Sequence, residues 1–245
     1  MTTSHPSVDV VIPVLNEEKA LPVCVARLRE FLPKAIPNPY RIVIADNGSS
    51  DRTLDICQEL SQRYPDVAYI RLEQRGRGRA LKKAWLESSA GILSYMDVDL
   101  STDINAFPAM VKALEDGAHV AYGSRLARGA KVYKRTLKRE ITSRGYNALI
   151  KLLFCNHFSD AQCGFKAVTR ETAQAIVPHV VNNNWFFDTE LLLIAEKRGF
   201  RLKGVPVVWT DDPDTRVRIM RTVAEDVKGL FRLRFGGMPR VERPR

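Results

Sequence analysis

Short apolar runs alternate with amphipathic stretches along the first half of the chain. The apolar runs predict buried strands at five places: residues 8–13, 41–45, 67–72, 92–96 and 119–122. Between the strands, apolar residues recur every three or four positions, as at Leu21, Val25 and Leu28, which is the spacing of a helix packed on one face. Strands that alternate with helices predict βαβ units and a mostly parallel sheet, so we expect an α/β fold.

The second half has a less regular pattern. An apolar run predicts a further strand over residues 202–209. Residues 215–235 place apolar side chains on one face with arginines between them, which predicts an amphipathic helix that lies on a membrane, packs on the sheet or forms a dimer contact. Trp185 and Trp209 are expected in the core or at an interface.

Composition limits the class of protein. A chain of 245 residues that is 45% hydrophobic can bury one full core. Its four cysteines form no Cys-x-x-Cys pair and no secretory signal precedes the first strand, so we expect neither structural zinc nor disulfides, in a reducing cytoplasmic compartment. No apolar run approaches the roughly 18 residues of a membrane span, which predicts a soluble or peripheral protein.

Charge is distributed unevenly. The net charge is +10, yet residues 1–124 carry 14 basic and 16 acidic side chains, whereas residues 125–245 carry 24 basic and 12 acidic ones. This asymmetry predicts an anionic partner for the second half. Nucleic acid, anionic lipid and phosphorylated substrates all remain open at this point.

Two carboxylates follow the predicted strand over residues 92–96. Asp97 and Asp99 are separated by one residue, so in an extended chain their side chains point the same way, at the strand end where open α/β sheets bind ligands. Two hard oxygen donors of this kind suit Mg²⁺ or Mn²⁺ bridged to phosphates. Other strand-end loops are expected on the same rim: residues 13–17, 46–51, 75–79 and 123–125.

Several short motifs follow one another along the chain. They are Val11-Ile12-Pro13 with Asn16-Glu17-Glu18, Asp46-Asn47-Gly48-Ser49 with Asp51, Arg77-Gly78-Arg79-Ala80, Asp97-Val98-Asp99, Gly123-Ser124-Arg125, Asp160 with Gln162-Cys163-Gly164-Phe165-Lys166, and Phe187-Asp188-Thr189-Glu190. In order and spacing, from about residue 8 to 235, they resemble the family 2 glycosyltransferases with the GT-A fold. More narrowly, they are similar to the dolichyl- or polyprenyl-phosphate sugar transferases, which transfer glucose or mannose. The last two motifs look most like the glucose-transferring branch.

The resemblance implies a nucleotide-sugar donor, either UDP-glucose or GDP-mannose, with Mg²⁺ or Mn²⁺ held by Asp97 and Asp99 against its diphosphate. The implied donor-binding residues are Pro13, Val14, Asn16, Glu17, Asp46, Gly48, Arg77, Gly78, Asp97, Val98 and Asp99. For Asp46 the alternative is a turn residue that bonds its own backbone. For Arg77 the alternative is an exposed basic turn.

The resemblance also implies an acceptor site for a dolichyl or polyprenyl phosphate, formed by Arg125 and the basic segment 128–139. Its implied contacts are Arg125, Arg139, Asp160 and Gln162, the last two lining a sugar pocket. The alternative for the arginines is a solvated basic face. The alternative for Asp160 and Gln162 is a structural role in which they stabilise a turn.

The implied catalytic residues are Asp99, Arg125 and Asp188. A lipid phosphate needs positioning, so Asp188 would orient the acceptor side. A hydroxyl acceptor needs a general base, and Asp188 would then be the candidate. The alternative for Asp188 is a helix N-cap before Thr189.

The sequence departs from the family at two positions. Asn47 stands where the family usually has a second aspartate. Ser101 stands where the mannose-transferring relatives have a glutamine that contacts the metal, which puts a third protein ligand in doubt.

We therefore predict one GT-A domain over residues 1–245, with a nucleotide-sugar half (1–124), an acceptor half (125–214) and a basic helix and tail (215–245). The predicted function is metal-dependent, inverting hexose transfer to a polyprenyl phosphate at the cytoplasmic face of a membrane, with a homodimer or a membrane-protein partner as further options. The alternatives are a hydroxyl acceptor and, from another class, a nucleic-acid-binding protein, although the latter leaves Asp97 and Asp99 unexplained.

Overall fold

The computed structural model describes residues 5–134, 136–210 and 219–242 of the chain. The strands are β1 (Val8–Val14), β2 (Tyr40–Asp46), β3 (Val67–Arg71), β4 (Ile92–Met96), β5 (Val120–Ser124), β6 (Lys131–Tyr133), β7 (Phe165–Thr169), β8 (Leu202–Pro206) and β9 (Val208–Thr210). The α-helices are α1 (Ala20–Ala35), α2 (Thr53–Arg63), α3 (Arg77–Glu87), α4 (Phe107–Glu115), α5 (Leu137–Phe154), α6 (Arg170–Ile176), α7 (Phe187–Lys197) and α8 (Ile219–Phe235). Short 3₁₀ helices precede α4 (Ile104–Ala106) and follow α6 (Val177–His179).

One seven-stranded sheet organises the fold, in the order β3-β2-β1-β4-β7-β5-β8. Neighbouring strands run parallel except at β7, which is antiparallel to both β4 and β5. The predicted α/β fold with a mostly parallel sheet is confirmed. Strands β6 and β9 form a separate two-stranded parallel sheet.

The sheet is buried on both faces, as a parallel sheet requires. Val10 and Ile12 of β1 pack in the core beneath α1 and α4, whereas Val11 packs in the core shared by α3, α6 and α7. Helices α5 and α8 extend the core on the Val11 side of the sheet through residues such as Ile150 and Leu230. The chain leaves β1 toward β2 and leaves β4 toward β5, which lie on opposite sides of the adjacent strands β1 and β4. In open α/β sheets a ligand-binding crevice lies at the carboxyl ends of two strands related in this way.

The strand predicted over residues 202–209 is two strands. Strand β8 pairs with β5, and β9 pairs with β6. The break falls at Pro206 and Val207, because proline has no N–H to continue the hydrogen-bond ladder. Val207 bonds to two different strands: its N–H donates to the carbonyl of Ser124 in β5, and its carbonyl accepts from the N–H of Lys131 in β6.

The predicted amphipathic helix is present as α8, whose described part begins at Ile219. Residues 215–218 of that prediction lie outside the described residues. Across the part of the chain that the structure covers, no helix is both long enough and apolar enough to span a bilayer.

Candidate active site

Asp97 lies at the carboxyl end of β4, on the sheet face that also carries Tyr95. Its side chain is 42% exposed, and Oδ1 accepts a hydrogen bond from Arg77 Nη2 at 2.7 Å. Asp99 is exposed, and its Oδ1 accepts from the backbone N–H of Ser101 at 2.9 Å.

Gly164 brings a backbone loop against Asp97. A Cβ added at this position would lie 1.7 Å from Asp97 Oδ2, so a larger residue would displace the carboxylate. The loop between α5 and β7 therefore forms one wall of the crevice beside Asp97. Gln162 precedes Gly164 by two residues on the same loop.

Arg77 connects two carboxylates of the crevice. Helix α3 begins at this residue, and its guanidinium donates to Asp97 and, from Nη1, to Asp188 Oδ2 at 2.8 Å. The side chain is only 10% exposed and lies over the rings of Tyr95 and Trp185, 4.8 and 4.9 Å from their centroids. The alternative of an exposed basic turn is therefore wrong for Arg77, because the helix start directs it inward.

Asp188 lies in the first turn of α7 and is almost fully buried. Its Oδ1 accepts from the hydroxyl of Tyr95 and lies 3.1 Å from Lys166 Nζ, while Oδ2 accepts from Arg77. Burial pushes the pKa of Asp188 upward, but Lys166 and Arg77 outweigh burial and hold this pKa below its usual value. The N-cap alternative is wrong, because α7 begins at Phe187 and the carboxylate bonds to other elements.

Tyr95 and Lys166 were not among the predicted site residues. They face each other across the β4–β7 ladder, and Lys166 is fully buried. Lys166 also donates to the carbonyl of Cys163 at 2.7 Å, which fixes its position beneath Asp188. The sequence signal for Lys166 was a lysine inside an otherwise apolar strand.

Arg125 and Asp160 form a buried bidentate ion pair. Arg125 Nε and Nη2 donate to the two oxygens of Asp160 at 2.8 and 2.9 Å, and the backbone N–H groups of Arg125 and Gln162 donate to the same carboxylate at 3.1 and 3.2 Å. Burial would raise the pKa of Asp160, but Arg125 lowers it to about 2. Asp160 therefore positions Arg125 and the turn at Gln162, and its fully buried side chain does not reach the crevice.

The crevice leads into a cavity of about 210 Å³. Its lining residues are Arg77, Asp97, Arg125, Arg139, Thr142, Ser143, Tyr146, Gln162, Trp185, Asp188, Trp209, Thr222, Val223 and Asp226. Both tryptophans expected in the core or at an interface thus face the cavity. Asp226, on α8, was not predicted, although a carboxylate one helical turn from Val223 and Leu230 on the apolar face of an amphipathic helix was a signal. A larger open depression of about 510 Å³, between α1 and α4, contains none of the predicted site residues.

The predicted donor loops adjoin the carboxyl ends of β1 and β2. Asp46 is fully buried, accepts from the N–H of Ser49 at 3.1 Å and pairs with Arg71 at 2.9 Å, so the turn bond proposed as its alternative is present. Asp46 and the following members of the set lie outside the cavity lining, and their donor role stays a prediction: Pro13, Val14, Asn16, Glu17, Gly48, Gly78, Val98 and Asp99. Gly78 is packed in α3, where a Cβ would lie 2.7 Å from Cβ of Phe187.

The donor set at the end of β4 suits a hard divalent cation. Such a cation binds through one or two carboxylates plus substrate phosphates, and Asp97 and Asp99 supply two carboxylates. Within the described ranges no cluster of three His, Cys, Asp or Glu side chains is present. Substrate oxygens would therefore complete the coordination.

The model of the glycosyl transferase family 2 matches residues 9–177. The chain belongs to this family. Glycosyltransferase AglD of Haloferax volcanii is 35% identical over 228 residues, which cover 91% of this chain and 36% of AglD. A dolichyl-phosphate β-glucosyltransferase of Dictyostelium discoideum is 30% identical over 239 residues, covering 92% of this chain and 73% of the relative. The chain thus spans about a third of AglD and about three quarters of the Dictyostelium relative.

The fold of this family 2 chain also matches solved structures. Glucosyl-3-phosphoglycerate synthase from Mycobacterium tuberculosis, in complex with UDP, superposes with a TM-score of 0.69 at 19% identity, over 96% of this chain and 82% of that one. The predicted resemblance to family 2 glycosyltransferases and the predicted GT-A fold are confirmed.

Proposed function

We propose that this family 2 chain transfers glucose from UDP-glucose to a dolichyl or other polyprenyl phosphate, with Mg²⁺ or Mn²⁺ at Asp97 and Asp99. The cavity carries the proposal, because Asp97, Arg125 and Arg139 of the basic segment face the same space. The names of relatives from Dictyostelium, yeast and mouse, all dolichyl-phosphate β-glucosyltransferases, favour glucose over mannose.

The charges around the cavity suit two phosphorylated substrates. A divalent cation would neutralise charge on the diphosphate leaving group as the glycosidic bond breaks. Arg125, fixed by Asp160, presents a guanidinium edge near the acceptor, and guanidinium geometry matches phosphate oxygens. The acceptor phosphate is already ionised at neutral pH, so it needs orientation for in-line attack and no deprotonation.

Asp188 fits this chemistry as a positioning residue. Three side chains, Tyr95, Lys166 and Arg77, occupy its two oxygens, and its pKa is lowered, which makes it a weak base. Through Arg77 it sets the position of Asp97. These contacts favour a phosphate acceptor over a hydroxyl acceptor, whose proton would need a base.

Attachment to the cytoplasmic face of a membrane is part of the proposal. The rings of Phe231 and Phe235 stack on the exposed face of α8, with centroids 5.6 Å apart, while Leu230 and Leu233 pack into the core. Arg234 lies 5.9 Å from the ring of Phe235. Exposed aromatic rings beside a cation suit the interface of an anionic bilayer. A homodimer and a membrane-protein partner stay predictions.

Transfer of labelled sugar into an organic phase tests the proposal. The chain is incubated with a polyprenyl phosphate, Mn²⁺ or Mg²⁺, and either UDP-[¹⁴C]glucose or GDP-[¹⁴C]mannose, with EDTA as the control. We expect label in the lipid from UDP-glucose alone, and none with EDTA. Label from GDP-mannose alone would overturn the glucose assignment, and donor hydrolysis without lipid labelling would overturn the lipid-phosphate acceptor.

A further inference from the structure

Asp226 is a buried carboxylate with one oxygen that the described residues leave unpaired. Its side chain projects from α8 and is 2% exposed. Gln162 Nε2 donates to Oδ2 at 2.6 Å, whereas no described donor lies within hydrogen-bond distance of Oδ1. Buried acceptors without a partner cost stability, so this one calls for a ligand or a structural reason.

Asp226 belongs to the cavity wall. Asp226 and Gln162 both line the cavity, together with Asp97 and Asp188. Gln162 lies on the loop that Gly164 brings against Asp97. Under the proposed function the donor diphosphate sits at Asp97, so the sugar attached to it occupies the space beside this loop.

The chemistry of the site selects the group that Asp226 meets. An ionised carboxylate only accepts hydrogen bonds, and phosphate oxygens would repel it. The nearby guanidinium groups of Arg77 and Arg125 are already paired with other carboxylates. A hydroxyl of the transferred sugar is a donor that the substrate itself brings into the cavity.

We propose, on the basis of the proposed function, that Asp226 is a specificity-determining residue of the donor site whose carboxylate accepts a hydrogen bond from a hydroxyl of the transferred hexose. Gln162 fixes the orientation of the carboxylate through Oδ2, and the Asp226 side chain lines the cavity. The last helix of the fold thereby takes part in choosing the sugar.

The protonation of Asp226 agrees with this role. Burial raises the pKa of Asp226 to about 7, Glu225 on the same helix and Asp188 on α7 add like charge, and the hydrogen bond from Gln162 opposes the rise. A hydroxyl that donates to the carboxylate stabilises the ionised form, so the bound sugar would lower the pKa of Asp226.

Calorimetric titration with UDP and with UDP-glucose, in Mn²⁺, separates the sugar contact from nucleotide binding. Asp226→Asn keeps the shape of the side chain and its acceptor for Gln162, but it replaces the other carboxylate oxygen with an N–H donor. We expect this variant and Asp226→Ala to bind UDP-glucose at least 10-fold more weakly than the parent chain, with UDP affinity unchanged. Glu225→Gln is the matched control, because the Glu225 carboxylate bonds to Asn182 and Asn184 outside the cavity lining.

UDP-glucose analogues that lack one hydroxyl complete the test. The analogue that lacks the contacted hydroxyl should bind the parent chain more weakly than UDP-glucose does. The same analogue and UDP-glucose should bind Asp226→Ala equally well. Equal losses for UDP and UDP-glucose, or no loss for either, would overturn the assignment of Asp226 while the transfer assay still supports the proposed function. A parent chain that binds UDP-glucose no more tightly than UDP and labels no lipid would overturn the proposed function and this assignment together.

Discussion

Replacing Asp160 with asparagine tests whether the buried pair with Arg125 holds the acceptor side of the site together. Asp160 is fully buried, the Arg125 side chain is 12% exposed, and all four hydrogen bonds to the carboxylate come from Arg125 and Gln162. Asparagine keeps the shape but removes the charge and turns an N–H group toward a guanidinium. The variant leaves an uncompensated buried charge.

We expect Asp160→Asn to lower the free energy of unfolding by about 3–5 kcal/mol, which is typical when one partner of a buried ion pair is removed. For a chain of this size, 1 kcal/mol shifts Tm by about 2–4 °C, so Tm should fall by roughly 10 °C. Because the pKa of Asp160 is held at about 2, below its unfolded value, the pair stabilises the fold above about pH 4 and loses this effect as the pH falls through 2.

Thermal unfolding followed by circular dichroism, with urea titration at pH 7, measures the loss. Glu30→Gln is the control, since the pair of Glu30 with Lys34 is exposed and its removal should cost no more than about 0.5 kcal/mol. The double variant Arg125→Met/Asp160→Leu should regain part of the loss, because no buried charge is then left unpaired. A loss in Asp160→Asn no larger than in the control would refute the reasoning.

Three further predictions concern the donor side and α8. Asp99→Ala should abolish lipid labelling with Tm unchanged within 2 °C, since the exposed carboxylate supports the metal and not the core; full activity, or activity that survives EDTA, would contradict the metal-assisted reaction. Gly164→Ala should lower transfer at least 10-fold, because its Cβ would overlap Asp97 Oδ2. Gly145→Ala, inside α5 with nothing within 4 Å, should leave transfer unchanged and raise the free energy of unfolding by about 0.5–1 kcal/mol. The pKa of Asp226 is raised to about 7, so the parent chain should lose roughly 2 kcal/mol of unfolding free energy as the pH rises from 5 to 8, and no more above that window. Asp226→Asn has no such carboxylate, so it should gain this amount relative to the parent chain over the same window. Parallel pH–Tm curves for the two chains would rule this out.

Local pattern was sufficient for much of the fold. Apolar runs located strands β1 to β5. The expectation that Asp97 and Asp99 continue the extended strand was wrong, because β4 ends at Met96 and residues 97–100 form a turn in which the N–H of Leu100 donates to the carbonyl of Asp97. The antiparallel insertion of β7 and the division of residues 202–209 into two strands depend on pairings between distant segments, which hydrophobic periodicity does not encode.

Local pattern was less informative about the roles of individual side chains. Asp160 was expected to line a pocket, but its partner Arg125 is 35 residues away in sequence and holds it beneath the surface. Asp226 stood in a stripe interpreted as apolar, and only the packing of α8 against Gln162 shows that it faces the cavity. The role of a charged residue at a buried position depends on partners that are distant in sequence.

Strand β7 has a consequence for how this protein can change. It comes from the second half of the chain but lies between β4 and β5 of the first, so the boundary near residue 124 cuts through a continuous sheet. A fragment ending there would leave one edge of β4 and both edges of β5 unpaired, a feature that promotes aggregation. Recombination at this boundary would remove a central strand together with Lys166. New acceptor preferences in this lineage are therefore expected to arise by substitutions and loop changes around the cavity, and not by exchange of a separately folding half.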